Sequence, residues 1–120
     1  MKSREAQEQA IVIQWCNLQS KKYHELDLIY HCPNGGKRNK REAHNLKLEG
    51  VKAGVPDLFL PVARNGKHGL YIEMKWGKNT CTKKQVDWLC RLRHQGYEAV
   101  VAYGADEAIN TIKNYLNIKG

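Results

Sequence analysis

The predicted fold is built outward from a hairpin that runs through Asp57-Leu58-Phe59-Leu60-Pro61-Val62 and returns through Leu70-Tyr71-Ile72-Glu73-Met74-Lys75. Residues two apart in a strand share a face, so Glu73 and Lys75 point the same way. In an antiparallel pair, the start of one strand lies beside the end of the other. We therefore expect Asp57 to lie next to Glu73 and Lys75.

Two carboxylates and a lysine at one end of a sheet require an explanation in a chain of formal net charge +8. A carboxylate beside an ammonium group is often an ordinary surface pair that adds little stability. A hard divalent cation explains the second carboxylate, because Mg²⁺ prefers one or two carboxylates together with water and phosphate. The backbone carbonyl of Met74 can supply a further oxygen. Such a cation activates water and polarises a phosphoryl oxygen, while Lys75 can orient the water or offset charge on the phosphate.

Hydrophobic periodicity and turn signals predict helices and strands around this hairpin. The predicted helices cover residues 4–19, about 41–48 and 106–116, and a further helix that Thr80 or Thr82 can cap runs to about Gln95. The predicted strands cover 26–31, 57–62, 70–75 and 97–103. This order predicts a mixed central sheet flanked by helices. The run 97–103 is nearly all apolar, which favours a central strand buried on both faces. In the first helix, the residues predicted to face the core are Ala6, Ile11, Trp15 and Leu18.

Length and charge limit the classes of protein to consider. The 120 residues suit one compact domain over 1–120. An excess of 20 Lys and Arg over 12 Asp and Glu favours a polyanionic partner such as DNA or RNA, although a basic, solvated surface has the same composition.

No apolar run approaches the roughly 20 residues of a membrane span. The first residues lack an apolar signal core, so we expect a cytoplasmic protein, in a bacterial or phage-infected cell, with reduced cysteines.

Further motifs extend from the hairpin across nearly the whole chain. Pro56-Asp57 is followed, sixteen residues after the Asp, by Glu73-Met74-Lys75. The other segments are Glu8-Gln9, residues 31–36, Gly50 to Asp57, Leu70 to Lys75, Gln85-Val86-Asp87-Trp88 and Gly96-Tyr97. This ordered set resembles the VRR-NUC branch of the PD-(D/E)XK nucleases, which occurs in phages and in larger repair enzymes. The Asp, Glu and Lys spacing alone is a weak signal, and the matching order makes the resemblance specific.

The resemblance implies a restriction-endonuclease-like α/β fold and a set of site residues. In such a site Asp57 and Glu73 bind the metal ion, and Lys75 is the catalytic lysine. Gln85, ten residues after Lys75, matches a polar residue that lines the family's site. The alternative for Gln85 is an ordinary exposed helix residue.

An acidic residue on the first helix often completes sites of this family. We assign this role to Glu8 and keep Glu5 as the alternative, because both lie on one helical face. A solvated helix carboxylate is the other interpretation of either residue.

Candidate DNA contacts lie on both sides of the hairpin. The residues are His31, Asn34, Lys37, Arg38, Lys40, Arg41 and Lys78. The loop 34–36 can present backbone N–H groups to a phosphate or form a plain turn. His31 can contact DNA or can be a satisfied strand histidine. The basic segment 37–52 suits a surface that follows the phosphate backbone, with a solvated charge run as the alternative.

Residues and resemblance together predict a DNA nuclease that depends on Mg²⁺ or Mn²⁺. Small members of the family resemble Holliday-junction resolvases, so a homodimer is expected. Branched junctions, flaps, nicked duplex and single strands are all open as substrates. The rival hypothesis is a non-catalytic DNA-binding module that keeps the fold, and metal-dependent cleavage that is lost on changing Asp57 separates the two. A structural protein with a basic surface would bind DNA unspecifically and would have no metal site.

Overall fold

The computed structural model describes residues 3–35 and 39–119 of the chain. Its helices are α1 (Arg4–Gln19), α2 (Lys40–Leu48), α3 (Lys83–His94) and α4 (Gly104–Leu116), with a 3₁₀-helix at His24–Leu28. Its strands are β1 (Tyr30–His31), β2 (Leu58–Leu60), β3 (Leu70–Lys75) and β4 (Glu98–Tyr103). The order of these helices and strands is the predicted one.

The four strands form one mixed sheet in the order β1-β2-β3-β4. Neighbours are antiparallel from β1 to β3, and β4 runs parallel to β3. The predicted mixed α/β sheet is therefore confirmed. However, β4 ends the sheet in the described part of the chain, so the prediction of a central strand at 97–103 is wrong. Its sequence is apolar because α3 and α4 both pack against it.

The core lies between one face of the sheet and the helices α1 and α4. Alternate residues of the two hairpin strands are fully buried on this face, namely Leu58, Leu60, Leu70, Ile72 and Met74. Because side chains alternate along a strand, Glu73 and Lys75 point to the opposite face, as predicted. The apolar packing therefore fixes the register that aims these charged residues away from the core.

The turn of the hairpin follows its sequence signal. Arg64 and Lys67 exchange two backbone hydrogen bonds of 3.1 and 2.8 Å. Between them, Asn65 and Gly66 have φ angles of 52° and 76°. Positive φ at both central residues defines a type I′ turn, whose twist matches that of the flanking strands.

The buried face of α1 differs from the predicted one. Its buried residues are Glu8, Val12 and Cys16, which are four residues apart. Ile11 is 45% exposed, Leu18 is 66% exposed and Ala6 is exposed as well, so the predicted core stripe is wrong at these three positions. The helix packs against β3 and α4, and this packing buries a stripe that includes a carboxylate, which apolar periodicity does not reveal.

The predicted strand at 26–31 is wrong in its first half. Residues 24–28 form the 3₁₀-helix, and Tyr30–His31 pair with β2. Leu26 and Leu28 alternate like strand residues in the sequence, yet Leu26 is fully buried and Leu28 is exposed. The 3₁₀-helix therefore buries Leu26, and residues 24–28 do not need to pair with the sheet.

Candidate active site

Asp57 and Glu73 face each other across the hairpin. The antiparallel register places the residue before β2 opposite Glu73. Asp57 Oδ2 accepts a 2.8 Å hydrogen bond from the backbone N–H of Met74. Lys75 Nζ lies 3.8 Å from Glu73 Oε2. The predicted convergence of Asp57, Glu73 and Lys75 at one end of the hairpin is therefore confirmed.

Burial makes the charge on Glu73 costly. Glu73 is 2% exposed, and Lys75 is 6% exposed. Burial, and next the charge of Asp57, raises the pKa of Glu73 to about 8, while Lys75 acts in the opposite direction. Among the described residues, no hydrogen-bond partner reaches Glu73 Oε1. An unpaired buried oxygen beside a second carboxylate is the kind of group that a cation satisfies.

The donors at this site fit a small, hard cation. No group of three or more His, Cys, Asp or Glu side chains in the described ranges is placed to hold a metal ion. Mg²⁺ does not need such a group, because it takes one or two carboxylates and keeps several waters. The N–H and C=O of one strand residue face the same neighbour. The carbonyl of Met74, whose N–H reaches Asp57, therefore lies on the same side as a further oxygen donor.

Asn34 contacts Asp57 directly. Its Nδ2 donates a 2.9 Å hydrogen bond to Asp57 Oδ1 and lies 3.4 Å from the carbonyl oxygen of Val55. Together with the N–H of Met74, this bond fixes both carboxylate oxygens of Asp57. The sequence analysis considered Asn34 only as a DNA contact, although its place just after β1, next to the start of β2, was a usable signal.

His31 lies at the same edge but reaches the backbone. Its Nδ1 is 2.9 Å from the carbonyl oxygen of Asp57 and 3.1 Å from Nε2 of Gln9. The imidazole is exposed. His31 therefore combines a contact beside the site with a surface that DNA can reach.

The two acidic residues of α1 have different surroundings. Glu8 is buried, and its Oε1 accepts a 2.9 Å hydrogen bond from the N–H of Ala105 in the first turn of α4. Its Oε2 lies 3.3 Å from Arg4 Nη2. Glu5 accepts a 2.8 Å hydrogen bond from Asn79 Nδ2, and its charge contributes to the raised pKa of Glu73. The charge of Glu5 therefore acts on Glu73, whereas Glu8 is hydrogen-bonded to the start of α4.

Gln85 is the third residue of α3 and belongs to a capping box. Its Oε1 accepts a 2.9 Å hydrogen bond from the N–H of Thr82, and its own N–H donates to Thr82 Oγ1 at 3.2 Å. Lys75 and the start of α3 are joined by a short loop. The capping box therefore fixes the amide of Gln85 in this arrangement.

Cys81 is a neighbour of the site that the sequence analysis did not find. The thiol is half-buried, and burial raises its pKa; the charge of Lys75 lowers that pKa and the charge of Glu73 raises it further. All four cysteines are free. The position of Cys81 between β3 and the cap of α3 was the available signal.

The candidate lysine and arginine contacts for DNA lie in two parts of the chain. Lys40 and Arg41 are exposed in the first turn of α2, and Lys78 is exposed in the loop after β3. Lys37 and Arg38 lie outside the described residues. Within the described ranges, no hydrogen bond or ion pair joins Lys40, Arg41 or Lys78 to Asp57 or Glu73.

Comparisons with known proteins agree with this geometry. The family model of the VRR-NUC domain matches residues 1–106. A solved structure titled VRR_NUC domain protein is 35% identical, with a TM-score of 0.81 over 98% of this chain and 92% of that chain. A comparison with curated proteins gives no significant match. The chain belongs to the VRR-NUC family, a nuclease family that processes DNA and typically uses divalent metals.

In the described part of the chain, no helix is long and apolar enough to span a membrane.

Proposed function

We propose that this domain hydrolyses phosphodiester bonds of DNA with Mg²⁺ or Mn²⁺ bound between Asp57 and Glu73. The observation that carries the proposal is the facing pair of carboxylates in which Glu73 Oε1 is buried without a partner. A divalent cation at this place would activate water and polarise the phosphate. Membership of a nuclease family supports the same chemistry.

The side chains around the pair have separate roles in this proposal. Asp57 is held by Asn34 and by the N–H of Met74, so its carboxylate is already oriented before DNA binds. Lys75 is buried next to Glu73 and carries the positive charge that orients the attacking water or offsets the charge that builds on the phosphate. The carbonyl of Met74 is a further candidate ligand.

Two residues next to the pair are assigned by their surroundings. Glu5, rather than Glu8, is the α1 carboxylate that we propose for the site, because the charge of Glu5 acts on Glu73. Glu8 is occupied by the start of α4. Gln85 is proposed to line the site from the first turn of α3.

Cleavage assays test the proposal. Labelled junction, flap and linear DNA are incubated with the protein in Mg²⁺, in Mn²⁺ and in EDTA. We expect cleavage that requires the metal and is lost in Glu73→Gln. Glu98→Gln is the matched control, because it removes a carboxylate from the opposite end of the sheet. DNA binding without cleavage in any metal would instead support a non-catalytic module that keeps the nuclease fold.

We also propose that the domain, 1–120, works as a homodimer on branched DNA. Two cuts on two strands need two sites, and a two-fold dimer supplies them with one patch used twice. Ile11 and Leu18 of α1 are exposed apolar residues that such a patch can cover. Sedimentation equilibrium at micromolar concentration tests this. A monomer with full activity on junction DNA would contradict it, and loss of the dimer in Ile11→Glu would support it.

A further inference from the structure

A cleft of about 570 Å³ lies between α2, the segment 51–53 and the first half of α3. Its apolar lining includes Leu46, Val51 and Trp88. Binding sites for small molecules commonly have volumes of about 300–1,000 Å³. The α2–α3 cleft is therefore large enough for one nucleotide.

The wall of the α2–α3 cleft is built with defined contacts. Trp88 Nε1 donates a 3.1 Å hydrogen bond to the carbonyl oxygen of Ala53, which fixes the indole against the loop. Gly54 packs on α3 so closely that a Cβ there would lie 2.9 Å from the backbone of Lys84. Gly54 also has a φ of 93°, which favours glycine. The loop and the helix are thus held together, with the indole between them.

The charges at the α2–α3 cleft favour an anion. Lys47, Lys52 and Lys84 line it and are exposed. Asp87 is the acidic residue among the lining side chains, and its carboxylate lies 3.5 Å from Arg91 Nη1. An apolar floor with an indole, bordered by lysines, complements a flat base that carries a phosphate.

The α2–α3 cleft also continues into the candidate active site. Asn34 lines it and donates the 2.9 Å hydrogen bond to Asp57 Oδ1. Asn34 alone would therefore separate a nucleotide in the cleft from Asp57. Such a nucleotide would belong to the DNA strand that passes the carboxylate pair.

We propose that the α2–α3 cleft binds one unpaired nucleotide of the DNA strand that is cut, with its base against Trp88 and its phosphate near the lysines. The inference rests on the proposed function in one respect, namely that the bound nucleotide belongs to the DNA strand that is cut. The α2–α3 cleft would thereby distinguish unpaired from paired bases, because a base inside a regular duplex is stacked and cannot enter a cleft.

Binding without cleavage tests the site. A duplex with one bulged aminopurine, a fluorescent adenine analogue, is compared with the fully paired duplex in EDTA. We expect tighter binding of the bulged duplex and quenching of the analogue on binding. Stacking of one base on an aromatic ring corresponds to about 5- to 150-fold in affinity, so Trp88→Ala should remove most of a preference of that size. Trp88→Phe should keep it, because it keeps a ring.

A second variant keeps the test valid if Trp88→Ala fails to fold. Ala43 is an exposed residue of α2 that lines the cleft, and α2 buries no residue. Ala43→Trp should fill the cleft, remove the preference for the bulged duplex and leave the affinity for paired duplex unchanged. Lys21→Gln, which changes an exposed lysine outside the lining, should leave both affinities close to those of the original protein.

Several results would overturn the inference. Equal affinity for the two duplexes, or a preference that survives Ala43→Trp, would show that the base does not enter the cleft. Loss of self-association in Ala43→Trp with unchanged DNA binding would make the cleft an interface between copies. If no DNA is cut in any metal while the preference and its loss in Ala43→Trp persist, the proposed hydrolysis fails and the nucleotide site stands.

Discussion

Asn34 Nδ2 and the backbone N–H of Met74 each donate a hydrogen bond to a different oxygen of Asp57, and the Asn34 bond, at 2.9 Å, joins a loop to the active-site strand pair. The amide therefore orients a proposed metal ligand from outside the hairpin. Partners of this kind fix the direction of a ligand's lone pairs and so adjust its affinity for metal.

The first prediction concerns Asn34 as a positioning residue. Asn34→Ala should lower metal affinity or activity by about 10- to 100-fold, the usual effect of losing a ligand's hydrogen-bond partner. The binding of uncleaved paired duplex in EDTA should stay close to normal. Calorimetric titration with Mn²⁺ measures the first effect and fluorescence anisotropy measures the second. A large loss of duplex affinity with normal metal affinity would make Asn34 a DNA contact instead.

The second prediction concerns the structural role of Asp57. Asp57→Ala should abolish cleavage and also lower stability, because it leaves the partly buried N–H of Met74 without its acceptor. The expected cost is about 1–3 kcal/mol for an unsatisfied buried donor. Urea unfolding measures it, with Asp57→Asn as the control that keeps an acceptor oxygen. Cleavage by Asp57→Ala at the original rate would contradict the site.

The third prediction is a pH dependence of stability without metal. Burial raises the pKa of Glu73 from 4.5 to about 8 in the folded protein. Between these two values the unfolded chain ionises Glu73 and the folded protein does not, so unfolding releases a proton and stability falls as pH rises. Above the folded pKa this dependence ends. Glu73→Gln should flatten the fall in urea unfolding in EDTA, whereas Glu98→Gln should leave it in place.

The same titration sets the metal affinity. A metal ligand must be deprotonated to bind, so affinity at this site should rise with pH up to about the folded pKa of Glu73, near 8. Titration with Mn²⁺ at several pH values measures it. An affinity that does not change over this range would show that Glu73 is not a ligand.

The fourth prediction separates Glu5 from Glu8. Glu5→Gln should reduce cleavage with little loss of stability, because Glu5 is half-buried and its charge acts on Glu73. Glu8→Ala should mainly reduce stability, since it removes the oxygen that accepts from the N–H of Ala105 in the first turn of α4. Loss of a helix cap costs about 0.5–2 kcal/mol. Thermal unfolding and single-turnover cleavage, measured on both variants, decide the assignment. The reverse pattern would restore Glu8 to the site.

The fifth prediction concerns the backbone contacts of α2. Each lysine or arginine that contacts a phosphate adds about 0.9 to the slope of log affinity against log salt on duplex DNA. Lys40→Gln and Arg41→Gln should therefore each flatten that slope if the start of α2 follows the phosphates. Lys113→Gln on α4 is the control, because its Nζ lies over the Trp15 ring on another part of the surface. A slope unchanged by both α2 variants would show that α2 does not contact the backbone.

Local signals in the sequence were sufficient for the hairpin and its end. The type I′ turn at Asn65-Gly66 and the alternation of 70–75 are local properties of the chain. They set the register, and the register alone brings Asp57 opposite Glu73. The cap at Thr82 and the left-handed Gly96 also follow from local backbone chemistry.

Other features depended on which surfaces meet. The apolar run 97–103 predicts a central strand. In the structure it lies at the end of the sheet, where α3 and α4 pack against it. Glu8 looks like a site carboxylate in the sequence, yet the approach of α4 turns it into a cap. A sequence pattern indicates that a residue prefers to be buried. It does not indicate which distant helix or strand will cover that residue.

The sequence by itself determined the order of the helices and strands and the convergence of Asp57, Glu73 and Lys75, because these depend on residues close together in the chain. It also indicated the class of the protein, because the order of the motifs along the chain can be read without the structure. The tertiary structure alone decided that Asn34 donates a hydrogen bond to Asp57, that Glu8 accepts one from the start of α4, and that a cleft opens beside Trp88. These contacts join residues 23 to 97 positions apart. They form only when the packed core brings separate segments to one place, and short-range propensity carries no information about that meeting.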